Sequence, residues 1–355
     1  MVARIRQLKE ENNKLIRDFA KRELLNINKC DKQCQTEEFK QRGGFEIEEV
    51  VESNIKNLFK FYTGLTYARF LMLLSFLFPS DCANPISYPQ KRKETNVKKF
   101  PLSQQVFMYL CRLRTGLHVK DLAFRFNVKV PTVSTVLIGV AKYMYVRLGS
   151  LSYWPHRNVI IENMPENYKA DFPTCLAILD CTELKCEKPS SLQVQSQCFS
   201  DYKSSNTLKS LVVCDPRGSV MFVSDLFSGS ISDNEICEQS GFYDFVPDLK
   251  ERGFIVAGDA LMADKGFRIE GILSEFDINL NIPPFASSGK PLSESEVNMT
   301  KKIAAHRIHV ERAINKIKCF KLLRRKIPVS LFHCINENWF VAAILTNFQD
   351  TLVKL

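Results

Sequence analysis

The stretch "CLAILDCTEL", residues 175–184, places a short apolar run directly before Asp180 and a second carboxylate at Glu183. A short apolar run of this kind is typical of a buried β-strand, which Asp180 would close. Two carboxylates within four residues are unusual in such a strand, because an unpaired buried charge is costly. The pattern therefore predicts a partner of opposite charge facing Asp180.

Four further short runs are rich in β-forming residues and are bounded by Gly, Pro and Asp. They occupy residues 208–218, 219–229, 254–264 and 278–284. The "DPRG" between the first two is typical of a hairpin turn. Helical periodicity follows the second run and returns after the last one. Strands mixed with helices in this way predict an α/β architecture with a mixed sheet flanked by helices.

The bulk composition is that of a folded chain with more than one domain. Its 355 residues are 45% hydrophobic, which suffices for a sizeable core and for two or three domains. Twelve cysteines are scattered without regular spacing, which favours reduced thiols over a disulfide framework. The most apolar stretch, residues 70–78, is far shorter than the ~20 residues that span a membrane. No membrane partner is expected.

Charge is distributed unevenly along the chain, although the net formal charge is +10. Residues 101–150 hold seven Lys or Arg against one acid, and residues 301–326 hold ten against one. Residues 151–300 carry twelve basic and twenty-two acidic side chains. Basic flanks around an acidic centre fit a polyanion held by the flanks, with carboxylates and cations acting at the centre. Helix faces of different charge produce the same asymmetry, so charge only nominates nucleic acid as the partner.

The first hundred residues predict a short coiled coil, a helical segment and a basic linker. Within residues 1–29, apolar residues and one asparagine recur at steps of three and four, which is the spacing of a coiled-coil seam. The seam predicts a homodimer, and an ordinary amphipathic surface helix fits it equally well. Residues 30–100 contain an apolar helical segment and then a proline-containing linker with "KRK" at 91–93. A short basic run is typical of a nuclear-import signal, and also of a solvated loop.

Residues 101–150 predict three helices with a tight connection between the last two. The first opens at a serine cap, and Pro131 stands in the first turn of the third. This is the arrangement of a helix-turn-helix, whose third helix enters the major groove of DNA. Thr132, Ser134 and Thr135 would then face base edges or phosphates, and Lys129 and Lys142 would contact phosphates. A plain three-helix packing unit is the alternative.

Three carboxylates that are remote in sequence are the candidate catalytic and metal-binding residues. Asp180 and Asp264 each close an apolar run, and Glu311 lies on a basic helix. Neighbouring strands can bring two such carboxylates to one edge of a sheet, and a packed helix can add the third. They would repel one another unless Mg²⁺ or Mn²⁺ intervened, and two ions ~3.5–4 Å apart can activate a water or hydroxyl against a phosphodiester. Acids at strand ends also commonly face solvent or cap helices, so spacing alone does not establish the site.

Several polar residues nearby have more than one interpretation. Asp259 precedes Asp264 by five residues, and Asp264 is preferred because it closes the apolar run. Asp233 is either a helix N-cap or a further metal ligand. Glu183 is expected to be structural, because in a strand it points away from Asp180.

Basic side chains around these acids are candidates for holding a DNA backbone. Arg307, one turn before Glu311, is expected either to orient that glutamate through an i,i+4 pair or to be surface charge. His306 and His309 are expected at the surface or in packing, not as metal ligands. The candidate phosphate contacts of this region are Lys203, Lys209, Arg312, Lys316, Lys318, Arg324 and Arg325.

Ordered motifs over half the chain resemble the DDE catalytic domain of PIF/Harbinger-like eukaryotic DNA transposases. They are "LDCTE", "PSSLQVQSQCFSDYKSSNTLKSLVVCDPRGSVMFVSDLFSGSISDNEI", "GDALMADKGF", "NIPPF" and "RIHVERAINKIKCFKLL". The upstream "LSQQVFMYLCRLRTGLHVKDLAFRFNVKVPTVSTV" resembles the helix-turn-helix that precedes this domain in the same family. Matched residue by residue, Asp180, Asp264 and Glu311 fill the three metal-binding positions, and Asp233 falls where relatives also place an acid.

The resemblance implies an RNase H-like nuclease domain over residues 165–350 that uses two divalent ions to cut and join transposon ends and target DNA. A host-retained DNA-binding or interaction protein that lost catalysis is the alternative function. Family members often begin with a Cys- and His-rich zinc domain, and no such cluster precedes residue 30. Either a fragment or a separate DNA-binding partner protein is therefore expected.

Overall fold

The structure is a computed structural model that describes residues 45–79, 85–88, 97, 100–285 and 292–352. The chain divides into two compact units. The first contains the described residues up to Gly149 together with Phe320–Leu322, and the second contains Ser150–Cys319 and the residues from Leu323 onward. The predicted coiled coil and most of the predicted basic linker lie outside the described residues.

The first unit is helical and has an aromatic core. Its described helices are α1 (Ile47–Glu52), α2 (Leu58–Thr63), α3 (Tyr67–Leu77), α4 (Leu102–Thr115), α5 (Val119–Arg125) and α6 (Val130–Gly149). The ring centroid of Phe107 lies 5.4 Å from that of Phe45, 5.5 Å from that of Phe59 and 5.8 Å from that of Phe126. Each such ring pair contributes about 0.5–1.5 kcal/mol beyond the area that it buries, so this cluster ties α2, α4 and the end of α5 together.

Helices α4, α5 and α6 have the predicted order, and a short turn joins the last two. Asn127 lies in that turn with φ 48°, in the left-handed region that asparagine tolerates better than most residues. Pro131 occupies the first turn of α6, as predicted, where its missing N–H breaks no helical hydrogen bond. The predicted serine cap of α4 is wrong, because α4 begins directly after Pro101 and Ser103 lies inside its first turn.

The second unit is α/β, as predicted. Its strands are β1 (Cys175–Lys185), β2 (Phe199–Ser200), β3 (Ser205–Cys214), β4 (Val220–Val223), β5 (Phe227–Ser228), β6 (Ala260–Met262) and β7 (Asn279–Asn281). Its helices are α7 (Arg157–Glu162), α8 (Glu166–Asp171), α9 (Leu192–Cys198), α10 (Asp233–Gln239), α11 (Phe242–Glu251), α12 (Glu270–Ser274), α13 (Glu294–Lys318), α14 (Lys321–Arg324, whose first two residues belong to the first unit) and α15 (Ile335–Leu345), with 3₁₀ turns at Val329–Cys334 and Thr346–Phe348.

The strands form one mixed sheet with β1 at its centre. Within the described residues its main path runs β2-β3-β1-β6-β7, and β4 and β5 also pair with β3. β3 is antiparallel to β1, β2, β4 and β5, whereas β1, β6 and β7 run parallel. The predicted mixed sheet with flanking helices is confirmed. β1 stands where antiparallel pairing gives way to parallel pairing.

The central strand continues past Asp180, so the prediction that Asp180 closes it is wrong. β1 runs to Lys185, because the residues after Asp180 pair with β3 as far as Thr207. Side chains alternate between the two faces of a strand. Ala177 and Leu179 enter the core against α10 and α11, whereas Asp180 faces α13 on the other side of the sheet.

Helix α13 is fixed at its start and along its buried face. Ser293 and Glu296 form a capping box, in which each side chain accepts a hydrogen bond from the backbone N–H of the other residue. Its buried side chains recur at intervals of three and four and include Ile303, Val310 and Ile317. This packing fixes the rotation of the helix and therefore the direction of the polar side chains beside the buried stripe.

The hairpin predicted between the first two runs after β1 is confirmed. Asp215 Oδ1 accepts hydrogen bonds from the backbone N–H groups of Arg217 at 2.9 Å and Ser219 at 2.7 Å, and Gly218 supplies a φ of 83°. These contacts join β3 to β4. None of the helices in the described ranges is both long and apolar enough to cross a membrane.

Candidate active site

The pairing of β1 with β6 brings Asp180 and Asp264 to the same level of the sheet. The two strands are parallel neighbours, and Ile178 is paired with Met262. Asp180 and Asp264 each lie two residues beyond that pair in the same direction. Asp264 follows the end of β6, its side chain is 52% exposed, and its Oδ1 accepts a hydrogen bond from Lys265 N at 2.8 Å. Two carboxylates remote in sequence are thus neighbours in space.

Arg307 of α13 contacts both of these aspartates. Its Nη1 lies 3.0 Å from Asp264 Oδ1, and its Nη2 lies 3.7 Å from Asp180 Oδ1. The Arg307 side chain is only 12% exposed and that of Asp180 is 22% exposed, so both charges are largely withdrawn from water. Both expectations for Arg307 are wrong, because it is neither the ion-pair partner of Glu311 nor free surface charge. The positive charge that lies opposite Asp180 is thus a side chain of α13.

Glu311 and Asp233 complete the acidic group around Asp180. Glu311 lies one turn beyond Arg307 on α13 and is exposed. Asp233 Oδ1 lies 2.7 Å from Lys209 Nζ, and its Oδ2 lies 3.4 Å from where a Cβ on Gly266 would stand, beside the Asp264 loop. The interpretation of Asp233 as an N-cap is wrong, because Ser232 caps α10 and Asp233 is its first helical residue.

The pKa of Asp180 reflects its burial and the charges around it. The pKa of Asp180 is raised to about 6. Burial contributes most to this rise, Arg307 opposes it, and the charges of Asp264, Asp233 and Glu311 add to it. The negative charge around Asp180 is therefore only partly compensated by the protein. In the described part of the chain, no three His, Cys, Asp or Glu side chains stand close enough to hold a metal ion without rearrangement.

The two aspartates of "GDALMAD" have different environments. Asp259 is 1% exposed and is held by Arg157, whose Nε and Nη2 donate to its carboxylate at 2.8–2.9 Å; Val256 N donates a further bond at 2.9 Å. These contacts give Asp259 a structural role, whereas Asp264 faces solvent beside Asp180. No local pattern in the sequence links Arg157 to Asp259, because the two residues lie 102 positions apart.

Two of the ambiguous groups turn out to be structural. Glu183 accepts a hydrogen bond from Thr207 Oγ1 at 2.8 Å. His306 and His309 are buried and pack edge-on against the ring of Tyr168, with centroid distances of 4.4 and 5.6 Å. Burial lowers the pKa of His309, and nearby Arg312 lowers it further. The packing role expected for the two histidines agrees with these contacts.

Three of the lysines predicted to contact phosphate already have partners inside the second unit. Lys209 pairs with Asp233, Lys316 Nζ donates to Thr346 O and Asp350 O, and Lys318 Nζ donates to Glu183 O at 3.0 Å. Burial also lowers the pKa of Lys318. The other four candidates in this unit are exposed, namely Lys203, Arg312, Arg324 and Arg325.

Among the helix-turn-helix candidates, Lys129 directly precedes α6, Thr132, Ser134 and Thr135 lie in its first two turns, and Lys142 lies in its second half. Lys129 and Lys142 are exposed. Ser134 Oγ donates to Val130 O at 3.3 Å, and Thr135 Oγ1 donates to Pro131 O at 2.9 Å, so both hydroxyls bond to their own helix. Their oxygens can still accept hydrogen bonds, because each hydroxyl has two lone pairs.

Comparison with known families matches both units. Residues 179–347 match the model of the DDE superfamily endonuclease, and residues 98–150 match the model of the helix-turn-helix of DDE superfamily endonuclease. The chain therefore contains a DDE superfamily endonuclease domain and the helix-turn-helix that accompanies it.

Similarity to individual proteins is weak. The chain is 22% identical over 134 residues to the Xenopus laevis protein named "Putative nuclease HARBI1", across 37% of this chain and 38% of that protein. It is 22% identical over 234 residues to the Arabidopsis thaliana "Protein ALP1-like", across 65% of this chain and 56% of that protein. The matched regions thus span less than two thirds of either relative. No solved structure matches this chain.

The contrast between the two aspartates predicts different costs of removal. Asp259→Ala should lower the free energy of unfolding by about 3 kcal/mol, because it leaves Arg157 without its buried partner. Asp264→Ala should change the free energy of unfolding by less than about 1 kcal/mol, because the Asp264 side chain is half exposed and its removal relieves repulsion among the acids. Urea unfolding followed by circular dichroism measures both values. Equal costs for the two variants would contradict the assignment of Asp259 to structure and Asp264 to the site.

Proposed function

We propose that this protein is a transposase-type DNA endonuclease that cleaves and joins phosphodiesters with divalent metal ions. The observation that carries the proposal is the proximity of Asp180, Asp264 and Glu311, with Asp233 beside them, inside a domain that matches the DDE superfamily endonuclease model. Three acids around the partly buried carboxylate of Asp180 cost stability. Such an arrangement is typical of a functional site.

The finer assignment is to the PIF/Harbinger-like transposases, with an RNase H-like fold. Support comes from the order of the motifs along the chain and from the similarity to the protein named "Putative nuclease HARBI1". The sheet is compatible with it, since antiparallel β-strands are followed along the chain by two parallel ones separated by helices.

The donor chemistry of the acids fits Mg²⁺ or Mn²⁺. Asp180, Asp264 and Glu311 would hold the ions, two per site, and Asp233 is a further candidate ligand. Carboxylate oxygens are the ligands that these hard ions prefer, and the repulsion that raises the pKa of Asp180 is of the kind that a divalent cation relieves. When bound, such ions activate the attacking water or hydroxyl and stabilise the leaving oxygen. The chain itself orients the carboxylates, through Lys265 N at Asp264 and through the packed face of α13 at Glu311.

DNA is the proposed substrate, and each unit contributes basic residues to its binding. In the helix-turn-helix we assign Lys129 and Lys142 to phosphates, and Thr132, Ser134 and Thr135 to base edges or phosphates. In the nuclease unit the better candidates for backbone contacts are Lys203, Arg312, Arg324 and Arg325, because these residues are exposed. Lys209, Lys316 and Lys318 would have to exchange an internal partner for a phosphate.

A host-retained protein without catalysis is the second candidate function. The observation that favours it is the guanidinium of Arg307 at Asp180 and Asp264, which supplies from the protein a positive charge that an active site takes from metal. Nuclear localisation, a homodimer and a separate DNA-binding partner protein are proposals that rest on sequence alone, since residues 1–29 and 91–93 lie outside the described ranges.

Nicking of supercoiled plasmid distinguishes the two functions. The purified protein with Mn²⁺ should convert supercoiled DNA to the nicked form. Asp264→Ala should slow nicking at least about a hundredfold, because loss of a residue that only hydrogen-bonds to a metal ligand already costs ~10–100-fold. The matched control is Asp277→Asn, which changes an exposed aspartate paired with Lys250. It should nick as the wild type does. Equal nicking by Asp264→Ala would exclude that residue from the site, and no nicking by the wild type would favour the non-catalytic function.

The assignment of Lys129 and Lys142 predicts a change in the salt dependence of DNA binding. Each phosphate contact contributes about −0.9 to the slope of log K against log salt concentration, so the double variant Lys129→Ala/Lys142→Ala should flatten the slope by about two units. Fluorescence anisotropy with a random duplex at several salt concentrations measures it. Lys250→Ala, which removes an ammonium already bonded to Phe276 O and Asp277, is the control and should leave the slope unchanged. An unchanged slope in the double variant would contradict the phosphate contacts.

A further inference from the structure

The guanidinium of Arg307 is poorly satisfied for a charge that is so nearly buried. Its Nη1 makes one short contact, with Asp264 Oδ1 at 3.0 Å, whereas the 3.7 Å from Nη2 to Asp180 Oδ1 is too long for a hydrogen bond. Its Nε is buried and has no hydrogen-bond partner among the described residues. An arginine held for structure would be expected to use its planar fork in a bidentate contact, as Arg157 does with Asp259.

The position of Arg307 also matters, because it stands between the two acids. Both carboxylates direct an oxygen at the same guanidinium, and Glu311 follows one turn later on the same helix. The positive charge thus lies where a cation shared by Asp180 and Asp264 would have to lie. Its long flexible stem can move the charge away while α13 stays in place.

We propose that Arg307 is an internal counter-cation that stabilises the metal-free site and is displaced when a divalent ion binds to Asp180 and Asp264. This inference rests on the proposed metal-dependent function and adds a residue that competes with the metal. Arg307 is then a positioning residue that keeps the acids together before the ion arrives. It lowers the apparent affinity for the ion, because its contacts must be given up.

The inference predicts opposite effects on the metal-free and the metal-bound protein. Removing the guanidinium leaves the acids uncompensated, so Arg307→Gln should lower the melting temperature without metal by at least about 2–4 °C. The same change removes the competitor, so the Kd for Mn²⁺ should fall about tenfold. At saturating Mn²⁺ the wild type and Arg307→Gln should melt at nearly the same temperature. In the wild type the ion has displaced Arg307 from the acids, and in the variant the guanidinium is absent.

Calorimetric titration of Mn²⁺ and thermal melts with and without Mn²⁺, both on the full chain, measure these quantities without DNA or turnover. Lys301→Gln, which removes an exposed positive charge from the same helix, is the matched control and should leave both the Kd and the melting temperatures unchanged. Arg307→Lys keeps the charge but lacks the planar fork that spans two carboxylates, so its Kd should be intermediate. This variant carries the test if Arg307→Gln does not fold.

Four outcomes would overturn the inference. An equal loss of melting temperature with and without Mn²⁺, at unchanged Kd, would make Arg307 a purely structural residue. Weaker Mn²⁺ binding in Arg307→Gln, or a Kd for Arg307→Lys equal to that of the wild type, would exclude competition with the ion. Absence of Mn²⁺ binding in the wild type and in both variants would remove the proposed metal site itself, which separates failure of the function from failure of this inference.

Discussion

The parallel pairing of β1 with β6 is the constraint on which the candidate site depends. Ile178 pairs with Met262, and Asp180 and Asp264 each lie two residues further along in the same direction. The pairing therefore places the two carboxylates side by side. Bringing like charges together in a partly buried place is unfavourable, and the sheet pairing imposes it. Arg307 on α13 offsets part of that repulsion, whereas Asp233 and Glu311 add to it.

The two faces of β1 have different roles, and this separates stability from chemistry. On one face Ala177 and Leu179 pack into the apolar core, which anchors the strand. On the other face Asp180 meets α13, and the buried stripe of that helix holds Arg307 and Glu311 near it. An acidic site of this kind lowers the stability of the protein without metal, and proteins commonly accept such a loss where activity requires it.

Local patterns in the sequence predicted the elements and the acids, but not their pairings. Period and turn chemistry identified the "DPRG" hairpin, the helices around Pro131 and the mixed sheet, because each depends on residues close together in sequence. The continuation of β1 past Asp180 depends on β3, and the burial of Asp259 depends on Arg157, so neither leaves a local signal. Arg307 stood out by its spacing from Glu311, but its partners come from two strands that only the folded chain brings near.

Cleavage of the protein by bound iron tests most directly whether these acids share a cation. Fe²⁺ takes carboxylate ligands, and with ascorbate and peroxide it cuts the backbone near its binding site. Fragments mapped by mass spectrometry should end near residues 180, 264 and 311 together, and excess Mn²⁺ should suppress all three cuts. Cuts at only one of these positions, or cuts that Mn²⁺ does not suppress, would contradict a shared ion site at this edge of the sheet.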